Sequence, residues 1–470
     1  MSSLLENAEL LHEWGIDPVP STHRRLRAFD VAILWGDLGI GLLVLVSGAL
    51  LVPALGLGQA FVAIVIGSVI GCGLLAAGAA AGATHGLPTM VLLRPVLGLK
   101  GSWIPSILNA LQLIGWTAVE LWAMSFVADL VSKRVFGFSA RPVWLVGMAV
   151  ICIGLALWGP VEVTRIWMER FAAWVVGAIA VIATLLLIVD GVLADAWSAP
   201  GTGGLGFGIA IDLVIAMPIS WLPLVADYTR FAVSPRAAAR GTFFGYLIAN
   251  VWLYTLGALL VLGPGATPSP AGIAAGVFAL GGGALTGVLL LVALLVGETD
   301  EAFADIYSGA VSLQNILPDV SQRAFIAVVG VVGTLLAGWL TMERYESFLF
   351  LIGSVFIPLF GIFLADHFVI RRNQVQVSDL YRGDGRYWYT GGIRFAALVP
   401  WLVGFCVYQW IVPTGPGWWV DLVGSIAGSP LSTRFGWLGA SIPAGAVAFA
   451  LALVPGLSSG RPSPAEERQP

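Results

Sequence analysis

Four carboxylate residues that follow a long apolar run are the residues of this chain best placed to do chemistry. Within the stretch 289–315, LLLVALLVG is followed by Glu298, Asp300, Glu301 and Asp305, with no Pro or basic residue in between. A carboxylate inside a bilayer costs ~2.5 to 3.5 kcal/mol on insertion scales, so such groups usually line a cavity that has a function. The pattern therefore predicts a functional cavity beside this stretch.

Two structures are compatible with the stretch. In one, the apolar span stops near Val296 and the acids lie in a solvated loop. In the other, one helix continues through the acids, because apolar residues keep a helical spacing as far as Pro318. Those residues are Phe303, Ile306, Tyr307, Ala310, Val311 and Leu313. We expect the second structure, a broken or water-lined helix whose middle carries the acids.

The composition is that of a polytopic membrane protein. The chain has 470 residues, of which 58% are hydrophobic and 11% charged, and its mean hydropathy is +0.91. Its 59 Gly suit helices that pack closely in a bilayer. The net charge of −4, without a basic patch, argues against a nucleic-acid partner. All three Cys lie in apolar runs, so neither a disulfide framework nor a zinc site is indicated.

Twelve apolar segments are long enough to be membrane spans. They cover residues 29–52, 58–82, 103–131, 142–160, 166–193, 207–227, 240–263, the stretch 289–315, 324–341, 346–370, 394–413 and 433–455. We divide the chain into a tail at 1–28, five-helix units at 29–193 and 207–370, a charged loop at 371–393, helices eleven and twelve at 394–455, and a tail at 456–470. A monomer is compatible with this organisation.

The distribution of basic residues predicts the orientation. Of the 23 Lys and Arg residues, five lie in odd-numbered connections, and the remaining 18 lie in the tails and even-numbered connections. The five are Lys133, Arg134, Arg141, Arg344 and Arg434. The positive-inside rule then places both termini in the cytoplasm. Because Arg greatly outnumbers Lys, we expect a bacterial protein, located in the inner membrane.

Spans one and six are interrupted at corresponding positions of the two units. Span one contains Trp-Gly-Asp-Leu-Gly-Ile-Gly at 35–41, and span six contains Pro218 and Pro223. The glycines of span one either admit a closely packed neighbour or let the helix unwind around a ligand. Interrupted segments at matching positions are the best sequence indication of a transporter site near the midplane. Spans three and eight, the third spans of each unit, carry the buried acids.

Span three offers a surface for a flat ring. Trp116 and Glu120 are four residues apart and therefore lie on one helical face. An indole can stack on a planar heterocycle, and a carboxyl group can pair with an N–H donor and a ring nitrogen at its edge. Alternatively, Glu120 pairs with a buried polar group such as Gln112.

Several segments resemble the nucleobase:cation symporter-1 family, which includes cytosine, allantoin and hydantoin permeases. They are PVPSTHRRLRAFDVAILWGDLGIG, GLPTMVLLRPVLGLKGS, QLIGWTAVE, WLPLVADYTRFA and AFADIYSGAVSLQN, and the likeness covers residues 18–413. The last two look most like the hydroxymethylpyrimidine, or thiamine-precursor, branch. The resemblance implies an all-α LeuT-type fold, with two inverted five-helix repeats plus two extra helices, and alternating access.

The same resemblance implies residue roles. A stacking Trp and a substrate-binding amide in span three correspond to Trp116 and Glu120, so an acid replaces the amide. A substrate-binding Asn in span eight corresponds to Asp305, and a second stacking Trp in span six to Trp221. Gln112 and Gly36 complete the predicted substrate site.

The coupling-ion site implied by the resemblance lies between broken span one and span eight. It comprises Asp37 and Gly39, with Gly36 beside them, and Val296, Thr299 and Asp300. Two carboxylates close together cannot easily both ionise in a low dielectric. A proton could therefore replace Na⁺ as coupling ion, or the acids could bind Na⁺ as hard oxygen ligands. We favour the proton, and we expect no cofactor.

A cation-coupled importer of a planar heterocycle, such as hydroxymethylpyrimidine or cytosine, is therefore the leading hypothesis. A purine, allantoin or hydantoin symporter of the same fold is an alternative. A membrane-embedded enzyme is a second class, but the chain has no H-E-x-x-H motif and its four His do not cluster in sequence. A channel would build its pore from repeated polar rings, which the chain lacks. No phosphate-binding G-x-x-x-x-G-K-[ST] loop supports ATP-driven transport.

Overall fold

Every long element of the structure is a helix. The computed structural model describes residues 14–280, 284–339 and 345–454, and their only β-pairing consists of two isolated bridges, Leu26 with Ala232 and Thr390 with Ile393. Outside this range lie residues 1–13 of the tail predicted at 1–28, the tail predicted at 456–470, Arg344, and residues 340–341 of predicted span nine. The predicted all-α class is confirmed.

Sixteen helices are labelled in chain order. They are α1 Ala28–Asp37, α2 Leu42–Ala49, α3 Leu57–His85, α4 Trp103–Val135, α5 Arg141–Trp158, α6 Pro160–Val189, α7 Phe207–Trp221, α8 Val225–Thr229, α9 Pro235–Leu262, α10 Pro270–Leu280, α11 Ala284–Gln314, α12 Gln322–Ala337, α13 Tyr345–Ile370, α14 Phe395–Ile411, α15 Gly417–Ala427 and α16 Ser441–Ala452. Helix α6 contains a π-helical segment, Val163–Ala172. Helices α10 and α15 are absent from the predicted set.

The structure supports a multi-pass membrane protein without confirming the number twelve. Among the described residues, six helices are long and apolar enough to cross a membrane, and α1 with α2 forms a seventh span bent by 62°. Five shorter apolar helices accompany them: α7, α10, α12, α14 and α16. Helix α11, with four acids in its middle, is 31 residues long.

Two groups of helices form the centre of the molecule. In the first, α9 packs along α1, α2 and α3, and α7 packs on α3. In the second, α11 packs along α4, and α12 and α5 pack against both. The first group corresponds to predicted spans one, two, six and seven. The second group corresponds to predicted spans three, four, eight and nine. Helices α13, α14 and α16 pack on each other beside α7.

The breaks in spans one and six differ in their cause. Helix α1 ends at Asp37 and α2 begins at Leu42, so the Gly-rich segment separates them. Pro218 lies inside α7, whereas residues 222–224 separate α7 from α8. Span six is therefore broken at Pro223 only, because a Pro leaves a helix continuous where the surrounding packing holds both turns in place.

One face of the bundle is closed by residues outside the long helices. Residues 14–19, expected in a polar tail, lie against the helix ends: Arg230 donates to the Gly15 carbonyl oxygen at 2.6 Å. Tyr381, in the 371–393 loop, donates to the Ile16 carbonyl oxygen at 2.7 Å. Burial raises the pKa of Tyr381, so its hydroxyl stays protonated and able to donate. Arg94 is buried and donates to Asn315 at 3.0 Å and to the Leu380 carbonyl oxygen at 3.0 Å.

Candidate functional site

The break in span one is held in place by α11. A helix start leaves backbone N–H groups without intrahelical partners, and at the start of α2 the Leu42 N–H donates to the Glu298 carboxylate. Gly41 precedes it, and a Cβ there would overlap Oε1 of Glu301 and lie 2.9 Å from Oε1 of Glu298. Gly41 thus lets two carboxyl groups approach the backbone of the break.

Helix α11 places its acids on two faces. Glu298, Glu301 and Asp305 follow helical spacings of three and four, so they share one face. Asp300 lies off this face and contacts Asp37 and Trp167. All four acids are at most 2% exposed, inside one continuous helix. The alternative of a solvated loop is therefore wrong. Of the two expected forms, a broken or a water-lined helix, the broken form is excluded because α11 is continuous.

A cavity lies between the two helix groups, where α4, α7 and α11 meet. Its volume open to water is about 10 Å³, room for about one water molecule. Its lining residues are Trp116, Glu120, Met217, Ser220, Trp221, Glu301 and Asp305. Small-molecule pockets usually measure roughly 300 to 1,000 Å³. The helices that line the cavity must therefore move apart before a ring can bind between them.

Aromatic side chains fix the two indoles of the cavity. Trp116 makes edge contacts with Phe348, at 5.1 Å between ring centroids, and with Tyr345, at 6.1 Å. Trp221 lies edge-on to Trp35 at 6.1 Å. Such packing restricts the rotation of large rings. Both indoles are thereby held as preformed walls of the cavity.

The polar part of the cavity is formed by carboxyl groups. Glu120 and Asp305, on α4 and α11, lie within hydrogen-bonding reach of each other. Two carboxyl groups can form that bond only if one carries a proton, because carboxylates only accept. No donor among the described residues reaches Oε2 of Glu120 or Oε1 of Glu301, and both atoms are buried. The cavity therefore presents acceptors without partners.

A second carboxyl pair lies beside the break of span one. Asp37, at the end of α1, and Asp300 are within hydrogen-bonding reach, and both are at most 1% exposed. The Trp167 indole N–H donates to Asp300 at 2.6 Å. Both Asp37 oxygens lack a partner among the described N–H and O–H donors. A shared proton would satisfy this pair.

The other predicted coupling-ion residues do not converge on that pair. The Thr299 hydroxyl donates to the Val296 carbonyl oxygen of its own helix at 2.6 Å. A Cβ at Gly39 would lie 2.8 Å from the Ala249 Cβ, so Gly39 packs against α9. In the part of the chain that the structure describes, no group of three or more His, Cys, Asp or Glu is arranged to hold a metal ion.

Two predicted substrate residues lie outside the cavity lining. Gly36 faces Gly245 of α9, where a Cβ would meet a carbonyl oxygen at 3.5 Å. Gln112 donates to Asn109 at 2.8 Å and to the Ser220 carbonyl oxygen at 3.1 Å, so it does not pair with Glu120. Neither is among the residues that line the cavity.

Three lining residues are absent from the predicted site. Glu301 belongs to the acidic stretch, and its spacing from Glu298 and Asp305 was the available signal. Met217 and Ser220 precede the break at Pro223. Nothing in their residue types distinguishes these two from ordinary helix residues of a membrane protein.

Comparisons with known proteins identify the family. The model of a family described as permease for cytosine/purines, uracil, thiamine, allantoin matches residues 18–428. The hydantoin permease of Microbacterium maritypicum is 27% identical over 425 residues, covering 86% of each chain. The allantoin permease of Bacillus subtilis (strain 168) is 25% identical over 445 residues, again covering 86% of each. The cytosine permease of Escherichia coli (strain K12) is 25% identical over 304 residues, or 62% of this chain and 66% of that one.

Solved structures show the same fold. A nucleobase-cation-symport-1 family transporter, in a closed conformation with bromovinylhydantoin bound, has a TM-score of 0.77 and 22% identity, covering 96% of this chain and 99% of that one. A Na⁺-coupled sialic acid symporter in an outward-open state has a TM-score of 0.60 and 15% identity, covering 93% of this chain and 90% of that one. The predicted transporter fold is thereby confirmed. With a family model that spans most of its length, the chain belongs to the family of permeases for cytosine, purines, uracil, thiamine and allantoin, and is a transporter, not an enzyme.

Proposed function

We propose that this protein imports a planar, nucleobase-like heterocycle, a pyrimidine such as cytosine or hydroxymethylpyrimidine, together with a coupling cation. The observation that carries the proposal is the cavity, in which Trp116 and Trp221 supply two indoles and Glu120 and Asp305 supply an edge of carboxyl groups. Relatives named for hydantoin, allantoin and cytosine all handle small nitrogen heterocycles. The ring would stack on Trp116 while the carboxyl groups bind its N–H edge.

The likeness to the thiamine-precursor branch supports hydroxymethylpyrimidine as one candidate. It rests on the segments WLPLVADYTRFA and AFADIYSGAVSLQN. Pro223 in the first segment marks the break next to Trp221, and Asp305 lies in the second. The two segments therefore contribute directly to the cavity. A purine, allantoin or hydantoin ring is the competing substrate of the same fold.

We propose a proton as the coupling ion, carried by Asp37 and Asp300. The pair joins the break of span one to α11. Its protonation state would therefore change the contact between the two helix groups. Loss of the shared proton would leave two buried negative charges in contact, which is unfavourable in a low dielectric. Protonation would therefore favour the arrangement in which the two helices touch. The competing hypothesis is that the same two acids bind Na⁺ as the coupling ion.

The helix groups suggest how the site alternates. The group of α1, α2, α3, α7 and α9 would rock against the group of α4, α5, α11 and α12, with the cavity between them. Residues 14–19 and the 371–393 loop close one face, so that face must separate for release. On the distribution of basic residues, this face and both termini are cytoplasmic, in a bacterial inner membrane.

Removing one indole tests the proposed substrate site. Trp116→Ala is expected to weaken ring binding about tenfold to a hundredfold, because stacking of a base on an aromatic side chain contributes ~1 to 3 kcal/mol. Tryptophan fluorescence of purified protein, titrated with hydroxymethylpyrimidine, cytosine, uracil and hydantoin, measures it. Trp418, 69% exposed on α15, provides the matched control Trp418→Ala. Failure of every ring to bind the wild type, or equal losses in both variants, would overturn the proposal.

A further inference from the structure

The polar groups that line the cavity are mainly acidic and accept hydrogen bonds rather than donate them. Three of its seven lining residues are carboxylic acids, and none is Lys, Arg or His. Glu120 and Glu301 each present one buried oxygen that no described donor reaches. The Trp116 indole N–H is the one buried donor of the lining that lacks an acceptor among the described residues. The unsatisfied groups of the cavity are therefore mainly acceptors.

Proton sharing reduces the charge of the cavity without removing it. If Glu120 and Asp305 share one proton, the pair still carries one negative charge. Glu301 adds a further carboxyl group on the same face of α11 as Asp305 and Glu298. An unpaired charge that is buried costs several kcal/mol. A ligand that brings positive charge and N–H donors would offset that cost.

The walls of the cavity favour the same kind of ligand. Indole faces attract cations, and Trp is the strongest of the aromatic side chains in this respect. Trp116 and Trp221 both line the cavity. Carboxyl oxygens and indole faces thus select for positive charge by two independent physical effects. A neutral diketo ring would instead bring its carbonyl oxygens towards the carboxyl oxygens.

We propose that the substrate is bound as a cation: a protonated amino-heterocycle whose amidinium edge, an N–H beside an exocyclic amino group, faces Glu120, Asp305 and Glu301. The proposal rests on the proposed ring-binding function of the same cavity and specifies the chemical class of the ring. Glu301 reaches the cavity because Gly41 leaves room for its carboxyl group. Each N–H⁺ to carboxylate bond is stronger than the neutral bond it replaces.

A series of equal-sized rings tests the charge requirement. Uracil, cytosine and diaminopyrimidine differ by stepwise replacement of a keto group with an amino group. Calorimetric titration of the full-length wild-type protein is expected to show binding that strengthens in that order, by about tenfold or more at each step, as charged hydrogen bonds replace unfavourable contacts.

Matched carboxyl variants locate the effect. Glu301→Gln is expected to weaken diaminopyrimidine binding at least tenfold and uracil binding much less, because it removes a negative charge at nearly constant shape. Glu346, exposed on α13, provides the control Glu346→Gln, which should change neither. If Glu301→Gln does not fold, the ring series on the wild type alone decides the question.

The outcomes separate this inference from the proposed function. If no ring binds, the ring-binding function itself fails. Uracil or hydantoin binding as tightly as diaminopyrimidine would overturn the charge requirement alone and leave a ring transporter. Equal effects of Glu301→Gln and Glu346→Gln on ring binding would likewise overturn it, since the Glu301 carboxyl group would then not recognise the charge of the ring.

Discussion

Replacing Asp300 with Asn is expected to abolish concentrative uptake while leaving heterocycle binding largely intact. An amide cannot carry a proton in exchange with Asp37, although its oxygen can still accept from the Trp167 N–H. The ring cavity is lined by other acids. We expect uptake into proteoliposomes under an imposed pH gradient to fall by about two orders of magnitude, the scale of loss when an essential proton-transfer group is removed.

The control for Asp300 is an acid outside the bundle. Asp319 is exposed in the turn before α12, and Asp319→Asn should transport like the wild type. Uptake by Asp300→Asn that still follows the pH gradient would show that this carboxyl group does not carry the coupling ion. A wild type driven by a Na⁺ gradient at constant pH, but not by a pH gradient, would assign the pair to Na⁺ instead.

Gly41→Ala is expected to have the second large effect. Its Cβ would overlap the Glu301 carboxylate and approach that of Glu298, so the acids and the break of span one must move apart. Overpacking of this kind usually costs ~1 to 3 kcal/mol of folding free energy. Because the displaced carboxyl groups serve both the cavity and the start of α2, we expect uptake to fall at least about tenfold.

A glycine without neighbours separates the steric effect from helix propensity. No heavy atom lies within 4 Å of a Cβ built at Gly73 on α3, so Gly73→Ala should retain both thermal stability and uptake. If Gly41→Ala transports as well as Gly73→Ala, the close approach of Glu301 to the break is not needed for transport. Thermal unfolding of the purified variants, measured alongside uptake, shows whether lost activity reflects lost folding.

Local patterns in the sequence account for much of the architecture. The spacing of apolar residues from Phe303 to Leu313 indicated a helix through the acids, and α11 is that helix. The glycines at 36, 39 and 41 marked the break between α1 and α2, because Gly weakens a helix locally. The class of polytopic helical membrane protein and the position of this break follow from composition and short-range spacing, whereas the LeuT-type arrangement was implied by the family resemblance.

Tertiary contacts account for what the sequence left open. Pro218 and Pro223 have the same local signal, but only Pro223 lies at a break, because packing keeps α7 continuous through Pro218. The pairing of Asp37 with Asp300 joins residues that are far apart in sequence. Gly39 and Gly36 looked like ligand positions, yet they serve the contact with α9. Such distinctions depend on neighbours that no single segment encodes.

The sequence predicted only part of the candidate site. Trp116, Glu120, Asp305 and Trp221 come from three different spans, and the structure brings them to one cavity. Their roles in binding stay predictions until a ligand is seen. Glu301 is absent from the predicted site because all four acids of α11 carry carboxyl groups, and only the helical phase distinguishes the face that lines the cavity.

The position of a bound ring tests the central claim most directly. Crystals of the protein with a brominated aminopyrimidine would reveal the bromine by its anomalous scattering. The account predicts one strong peak in the cavity between Trp116 and Trp221, next to Glu120. A peak elsewhere, for example in the surface groove lined by Arg25, Arg27 and Arg165, with the central cavity empty, would contradict it.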